Sequence, residues 1–250
     1  VAYISMGGKD GTIKNKKGKA DAKRGKIFTK MARKITVAVK EGGADPEYNP
    51  ALKAAIDSAK AENMPNDNID RAIKKAAGDG ETDNFESVTY EGYGPSGIAV
   101  MVLCLTDNRN RTAPDVRHAF DKHGGNLGTD GSVAFMFDKK GQFGIELTED
   151  VDSDMLQMDA IEAGAEDIQV DEDGILVFTE PEDYGAVRNA LEEKGYNFAI
   201  SEITYIPQTT TVLEDPEDRK NMQKLIDQLE ENDDVQEVIH NWENDDEDEE

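Results

Sequence analysis

Apolar residues recur at intervals of three and four through the first 80 positions, which is the spacing of helices with one buried face. The first such series is Ile27, Phe28, Met31, Ile35 and Ala38. Asn49 and Pro50 predict the start of a second helix, since Asn caps helices and Pro suits the first turn. A third helix is predicted from Pro65, and Gly78 is placed to end it. Three short helices with tight links predict a small bundle.

Beyond residue 81 the pattern changes to short strands mixed with single helices. The strands predicted before residue 138 are Val88–Glu91, Ile98–Leu105 and Ser132–Phe137. The segment Thr112–Asp115 has the form of a capping box, which predicts a helix from there to His123. A turn is predicted at Lys139–Gly141. The segment is therefore expected to form a sheet with at least one packed helix.

The stretch 138–205 has the element order β-α-β-β-α-β, which is typical of a ferredoxin-like domain. Its predicted elements are a strand at Phe143–Leu147, a helix at Ser153–Ala163, strands near 166–170 and 174–179, a helix capped by Thr179 and ended by Gly195, and a strand at Phe198–Ile206. A helix at Pro216–Glu231 and a strand at Val235–His240 follow. This last pair is too small to be a domain, so we expect it to complete the sheet begun before residue 138.

These elements predict an α+β, multidomain chain. It would contain an N-terminal three-helix bundle and two α+β domains of ferredoxin-like type, with the third domain inserted in the second. The predicted boundaries are 6–80 for the helical domain, 81–137 plus 206–240 for the second domain, 138–205 for the inserted domain and 241–250 for an acidic disordered tail. Met6 is the expected native start.

Charge separates the helical segment from the rest of the chain. Residues 1–77 contain 17 Lys and Arg against 9 Asp and Glu, a net charge of +8, whereas residues 78–250 contain 11 against 45, a net charge of −34. Clustered cations favour a polyanionic partner, because they neutralise phosphates and release counterions. We therefore expect the 6–80 domain to bind nucleic acid. A merely solvated cationic face is the alternative.

The expected nucleic-acid contacts lie in a flexible arm before the first helix and on the side of that helix opposite its apolar face. They are Lys14, Lys16, Lys17, Lys19, Lys23, Arg24, Lys26, Lys30, Arg33 and Lys34. The arm lacks the aromatic residues of a base-stacking platform. Contacts to phosphates and to the shape of the nucleic acid are therefore expected, rather than stacking.

A second set of candidates follows the strand at Ile98–Leu105. Arg109 and Arg111 could hold phosphate at a helix start, and Arg117 and His118 could touch the same partner. In the alternative interpretation, Asp107 and Asn108 shape a turn and the arginines pair with nearby acids. The glycine-rich loop 124–131 is a further contact candidate, because it exposes backbone donors. His123 is expected to cap or pack against its helix.

Several classes of function are not supported by the sequence. The longest apolar run is too short to span a bilayer and no signal peptide is evident, so we expect no membrane partner. The single cysteine, Cys104, has no metal-ligating neighbours, and a reducing cytoplasm fits it. We expect no metal, cofactor or small-molecule substrate and no enzymatic activity. An enzyme using Arg109, Arg111 and His118 and a protein scaffold with a basic docking arm are the remaining alternatives.

Five segments together resemble one known family, the YebC/PmpR family. They are Asp21–Lys30, Asn63–Lys75, Tyr90–Gly97, Leu105–Thr112 and Val116–Ser132. The resemblance extends from about Met6 to the last predicted helix. It implies a helical N-terminal domain followed by two α+β domains, the third inserted in the second. The family includes the mitochondrial translational activator of cytochrome c oxidase.

The resemblance also implies two possible functions. Members of the family are usually described as DNA-binding transcriptional regulators, and others are assigned to translation as ribosome-associated factors that relieve stalls at proline-rich stretches. DNA and ribosomal RNA are thus both candidate partners. The chain departs from the family at its start, where Gly7–Asp10 replaces the usual Gly-His-Ser-Lys-Trp. Lys9 matches the family's lysine and Asp10 stands in place of its tryptophan.

Overall fold

The computed structural model describes residues 24–78 and 84–243. The described chain divides into two compact units, one formed by residues 84–138 and 206–243 and the other by residues 24–78 and 139–205. Both units contain helices, and each contains one four-stranded sheet. The predicted α+β, multidomain fold class is confirmed. The finer division into three domains stays a prediction.

The described residues form seven α-helices and eight strands. The helices are α1 (Arg24–Gly42), α2 (Pro50–Ala61), α3 (Asn66–Ala77), α4 (Arg109–Lys122), α5 (Ser153–Ala163), α6 (Tyr184–Glu193) and α7 (Pro216–Glu231). The strands are β1 (Glu86–Tyr93), β2 (Ala99–Thr106), β3 (Asn126–Leu127), β4 (Phe137–Glu146), β5 (Asp167–Val170), β6 (Gly174–Thr179), β7 (Ile200–Pro207) and β8 (Val235–His240).

Helices α1, α2 and α3 pack around one apolar core. Its fully buried members include Ile35 of α1, Leu52 and Ala55 of α2 and Ile69 of α3. The side chain of Asn49 caps α2 by accepting a hydrogen bond from the backbone N–H of Leu52 (3.1 Å). The predicted bundle and the predicted start of its second helix are therefore confirmed.

The sheet of residues 84–138 and 206–243 has the strand order β3-β1-β2-β8. Strands β1 and β2 form an antiparallel hairpin, and β8 pairs antiparallel with β2. Helices α4 and α7 contribute Phe120 and Leu225 to its core. The sequence correctly predicts that the last helix and strand complete this sheet, because both carry apolar residues that only a larger core can bury.

The sheet of residues 139–205 has the order β5-β6-β4-β7. With the chain order β4-α5-β5-β6-α6-β7, this is the ferredoxin-like arrangement that the sequence predicts, in which the two central strands are the first and third. Its core contains Phe143 stacked on Tyr184, with ring centroids 4.9 Å apart. The predicted turn at Lys139–Gly141 is wrong, because these residues continue strand β4.

Three other local predictions are wrong. Helix α4 begins three residues before Thr112, because the side chain of Asn108 accepts the N–H groups of Asn110 and Arg111 and caps it. Thr112 instead donates its buried hydroxyl to Asp234 (2.8 Å). The segment 132–137 contains a short 3₁₀ turn, Ala134–Met136, instead of a strand. Thr179 belongs to strand β6 and does not cap the helix after it.

The prediction of a disordered tail at 241–250 is wrong for its first residues. Trp242 is only 3% exposed and belongs to the core beneath the β3-β1-β2-β8 sheet. The side chain of Asn241 accepts the backbone N–H of Ala99 (2.9 Å). A tryptophan can bury a large apolar area, and this outweighs the acidic composition around it. Residues 244–250 of the predicted tail lie outside the described residues.

Helix α2 contributes to two cores at once. Leu52, Ala55 and Ala59 face the bundle, whereas Ala54 packs into the core of the β5-β6-β4-β7 sheet. This gives one short helix two buried faces. The bundle and the ferredoxin-like segment are therefore joined by packing as well as by the chain.

A buried ion pair strengthens this junction. The guanidinium group of Arg188 donates two hydrogen bonds to the carboxylate of Asp57, at 2.5 and 2.6 Å. The hydroxyl of Ser201 donates to the same carboxylate (3.0 Å) and also bonds the hydroxyl of Tyr184. Burial alone would lower the pKa of Arg188, but the hydrogen bonds to Asp57 raise it above its ordinary value. Arg188 is therefore held charged in an enclosed position.

Candidate nucleic-acid interface

Helix α1 is the described element with the densest positive charge. From Arg24 to Lys40 it contains six Lys and Arg residues and no Asp or Glu. Its apolar residues Ile35, Ala38 and Val39 are buried in the bundle. The helix therefore has one face anchored in a core.

The end of α1 is tied to the start of α2 by a single side chain. The amide of Asn49 donates to the carbonyl oxygens of Ala38 and Gly43, both at 2.8 Å. A side chain at Gly42 would meet the Asn49 amide at 2.7 Å, and Gly43 has a φ of +93°, which favours glycine. These contacts fix the direction of the cationic helix relative to the rest of the bundle.

The cations of α1 differ in their access to solvent. Lys26 and Lys40 are exposed, and Arg33 and Lys34 are half-buried. Lys30 is only 7% exposed, although its helical angle places it opposite the apolar face. The prediction that Lys30 lies on the open cationic face is wrong, because its side chain is buried. Lys26, Arg33 and Lys34 remain the accessible candidates on this helix.

The remaining predicted contacts cannot be placed. Lys14, Lys16, Lys17, Lys19 and Lys23 of the arm lie outside the described residues. Arg24 begins α1, and the position of its side chain is likewise outside the description. Their contact with nucleic acid stays a prediction.

Helix α3 adds cations that the sequence interpretation did not select. Arg71, Lys74 and Lys75 are exposed on this helix, which packs against the same core as α1. The sequence contained the information needed to select these cations, because their positions on the helix lie away from the apolar residues Ile69 and Ala76. Applying the helical-angle argument to α3 as well as α1 would have found them.

In the second candidate set, Arg109 and Arg111 each form ion pairs with acidic side chains. The Nε of Arg109 lies 2.6 Å from a carboxylate oxygen of Glu86. Arg111 donates to the buried carboxylate of Asp234 through two nitrogens, at 2.8 and 3.1 Å, and to Asp107 at 2.8 Å. These hydrogen bonds raise the pKa of both guanidinium groups. The pairing favours the interpretation in which the arginines serve the local structure.

Arg117 and His118 lie on the exposed side of helix α4. They are therefore accessible to a partner, and their contact with nucleic acid stays a prediction. The neighbouring His123 is buried at the end of the helix, where its Nε2 lies 2.7 Å from the side-chain oxygen of Gln228. His123 thus has the packing and capping role that the sequence favours.

The glycine-rich loop is held by a buried carboxylate. Glu91 accepts the backbone N–H groups of Gly131, Val133 and Ala134, at 2.6 to 3.1 Å. Gly128 also donates its N–H to the backbone oxygen of Glu91 (2.8 Å). Four backbone donors of this loop region are therefore engaged within the protein, which weakens its candidacy as an anion-binding loop.

Within residues 24–78 and 84–243, no three His, Cys, Asp or Glu side chains are grouped as a possible metal site. Over the same ranges, none of the helices combines the length and the apolarity needed to cross a bilayer.

Two family models together match most of the chain. Residues 9–79 match the model described as the TACO1/YebC protein N-terminal domain. Residues 85–242 match the model described as the TACO1/YebC second and third domain. The junction between the two matches falls at the change from helical to mixed pattern.

Similar proteins agree with this assignment. A "probable transcriptional regulatory protein" of Finegoldia magna is 60% identical over 232 residues, covering 93% of this chain and 96% of the relative. A protein of the same description from Clostridioides difficile is 60% identical over 236 residues, covering 94% and 99%. The crystal structure of the conserved hypothetical protein Aq1575 from Aquifex aeolicus is 48% identical, with a TM-score of 0.79, over 89% of this chain and 91% of that one. The chain belongs to the TACO1/YebC family.

Proposed function

We propose that this protein is a non-enzymatic regulator of gene expression that binds nucleic acid through its N-terminal bundle and acts in the cytoplasm. The observation that carries the proposal is the charge of α1, which has six cations and no acid up to Lys40 in a chain of net charge −26. Such a helix attracts phosphates, while the acidic remainder of the chain is repelled by them. The names of the relatives, as probable transcriptional regulatory proteins, agree with a regulatory role.

The proposed contact surface combines helices α1 and α3 with the basic arm. On α1 it uses Lys26, Arg33 and Lys34, and the basic arm at 14–24 continues it toward the N-terminus. Exposed cations of α3 extend the positive surface. Because these are Lys and Arg side chains on a helix anchored by its apolar face, we expect contacts mainly to phosphate oxygens.

Transcription and translation make different demands on this surface. The residues of α1 include no Asn or Gln, the side chains that pair bidentately with adenine in the major groove, although its Arg and Lys side chains could contact guanine as well as phosphates. Contacts to phosphates and to the shape of the nucleic acid need no other side chains than these cations. This favours, as the second candidate, a ribosome-associated translation factor that binds structured ribosomal RNA by shape and phosphate contacts.

The binding surface is tested by a salt titration. The double variant Lys26→Glu/Lys34→Glu is compared with Lys220→Glu/Lys224→Glu, which changes the net charge equally on the exposed side of α7. Affinity for a 30-base-pair DNA duplex and for an RNA hairpin is measured by fluorescence anisotropy between 50 and 200 mM salt. Each lost phosphate contact should flatten the slope of log affinity against log salt by about 0.9 on duplex DNA.

The α1 variant is expected to lose up to two phosphate contacts and the α7 variant none. Equal slopes for both variants and the wild type would contradict the proposed surface, and a wild type insensitive to salt would contradict nucleic-acid binding. Crosslinking in growing cells then separates the two candidates. Fragments of ribosomal RNA support the translation function, and promoter DNA supports the transcriptional one.

A further inference from the structure

Helix α5 exposes an apolar stripe that faces away from its own core. Met155, Met158 and Ile161 are 59%, 64% and 65% exposed, whereas Leu156 and Ala160 of the same helix are fully buried. The three exposed residues are spaced by three positions, so their side chains are neighbours on the helix surface. A helix that is apolar on both sides is expected to have a second surface packed against it.

The stripe lies in a strongly acidic segment of the chain. Residues 141–187 contain 15 Asp and Glu and no Lys, Arg or His. Within the helix and its cap, Asp152, Asp154 and Glu162 are exposed beside the apolar residues. The surface therefore combines flexible apolar side chains with a mainly acidic rim, in which Lys194 lies 3.5 Å from Glu162.

We propose that the stripe on α5 is a docking site for an amphipathic helix of a partner protein whose apolar face is flanked by Lys and Arg. Methionine side chains are unbranched and adapt to irregular apolar surfaces, which suits a binding face. From Met155 to Ile161 the stripe is about 9 Å long, which matches two turns of apolar anchors on a partner helix. Basic residues flanking those anchors would meet the acidic rim.

The rim argues against the other possible occupants. A second copy of this chain, docked through the same face, would bring two acidic surfaces together, which is unfavourable. Nucleic acid would be repelled for the same reason. The site is thus distinct from the proposed nucleic-acid surface and does not depend on it.

The proposal is tested with a defined probe. A fluorescent 18-residue peptide of Leu and Lys, patterned as an amphipathic helix, is titrated with the full chain and followed by anisotropy. The variant Met155→Gln/Met158→Gln keeps the charge and removes most of the apolar stripe. The matched control is Tyr48→Gln/Val212→Gln, which changes two exposed apolar residues outside the acidic segment.

The α5 variant is expected to bind the peptide at least about tenfold more weakly than the wild type, which corresponds to about 1.4 kcal/mol. Its melting temperature and its affinity for DNA should not change. The control variant should bind the peptide as the wild type does, and a peptide with Glu in place of Lys should not bind. Unchanged affinity in the α5 variant would overturn the proposal, since charge alone would then explain binding. A wild-type dimer that the α5 substitutions convert to monomer, measured by sedimentation, would also overturn it.

Discussion

Replacing Asp57 by Ala should destabilise the junction between the bundle and the ferredoxin-like segment. The side chains of Asp57 and Arg188 are only 9% and 8% exposed, and two hydrogen bonds join them. Removing the carboxylate leaves a buried guanidinium without its main partner, which typically costs about 3–5 kcal/mol. Arg188 keeps its contact with Glu192, which is more exposed, so the lower part of this range is expected.

Two further variants separate charge from packing. Asp57→Asn retains one oxygen as an acceptor but loses the charge, and because charge-assisted hydrogen bonds are roughly twice as strong as neutral ones, we expect about half the loss. In the double variant Asp57→Leu/Arg188→Met both charges are replaced by apolar groups. Such replacements of buried pairs are often neutral, so stability should return to within about 1 kcal/mol of the wild type.

The assay is urea unfolding followed by far-ultraviolet circular dichroism, with amide hydrogen exchange to assign the change to peptides of α2 and α6. With a slope of about 2 kcal/mol per molar urea, a loss of 3 kcal/mol lowers the midpoint by about 1.5 M. Two results would refute the reasoning. One is a loss below about 1 kcal/mol in Asp57→Ala, and the other is a double variant as unstable as the single one.

Three other predictions concern the remaining structure. Glu91→Ala should destabilise the protein by about 2–4 kcal/mol, because three backbone N–H groups lose a buried acceptor; faster amide exchange at Gly131 would report it, and unchanged exchange would contradict it. Trp242→Ala should cost about 3–5 kcal/mol by thermal unfolding, whereas Val212→Ala, at an exposed position, should cost little; equal losses would contradict the role of Trp242 in the core. Hydrogen bonds from Lys194 and Tyr196 lower the pKa of Asp159 below its ordinary value of 3.8, so its stabilising contribution is present above that pH and is lost as the pH falls through the lowered pKa. Acid unfolding curves of Asp159→Asn should show a weaker dependence on pH in that window, and identical curves would contradict the assignment.

Local sequence signals were sufficient for much of the fold. The last helix and strand were predicted with the bounds that the structure has, Pro216–Glu231 and Val235–His240. In the helix, the buried residues Met222, Leu225, Ile226 and Leu229 recur at intervals of three and four, and a proline and an acidic first turn mark the helix start. The cationic helix α1 was predicted for the same reason, since its apolar positions recur at intervals of three and four residues.

Competing local signals led to errors elsewhere. Thr112 satisfies the pattern of a capping box, but Asn108 is an equally good cap and lies closer to the end of strand β2. The choice between them depends on Asp234, which is distant in the sequence and accepts the Thr112 hydroxyl in the folded chain. A pattern of four residues carries no information about that partner.

The sequence by itself determined most of the elements, the separation of charge and the family, because hydrophobic period, net charge and motif are properties of neighbouring positions. Tertiary structure decided which of the charged residues are accessible. Lys30 has the helical angle of a solvent-facing residue and is buried, and Asp57 pairs with Arg188, 131 positions away. Burial and ion pairing depend on which distant segments pack together, and a long-range contact lowers the free energy only once the whole chain has folded.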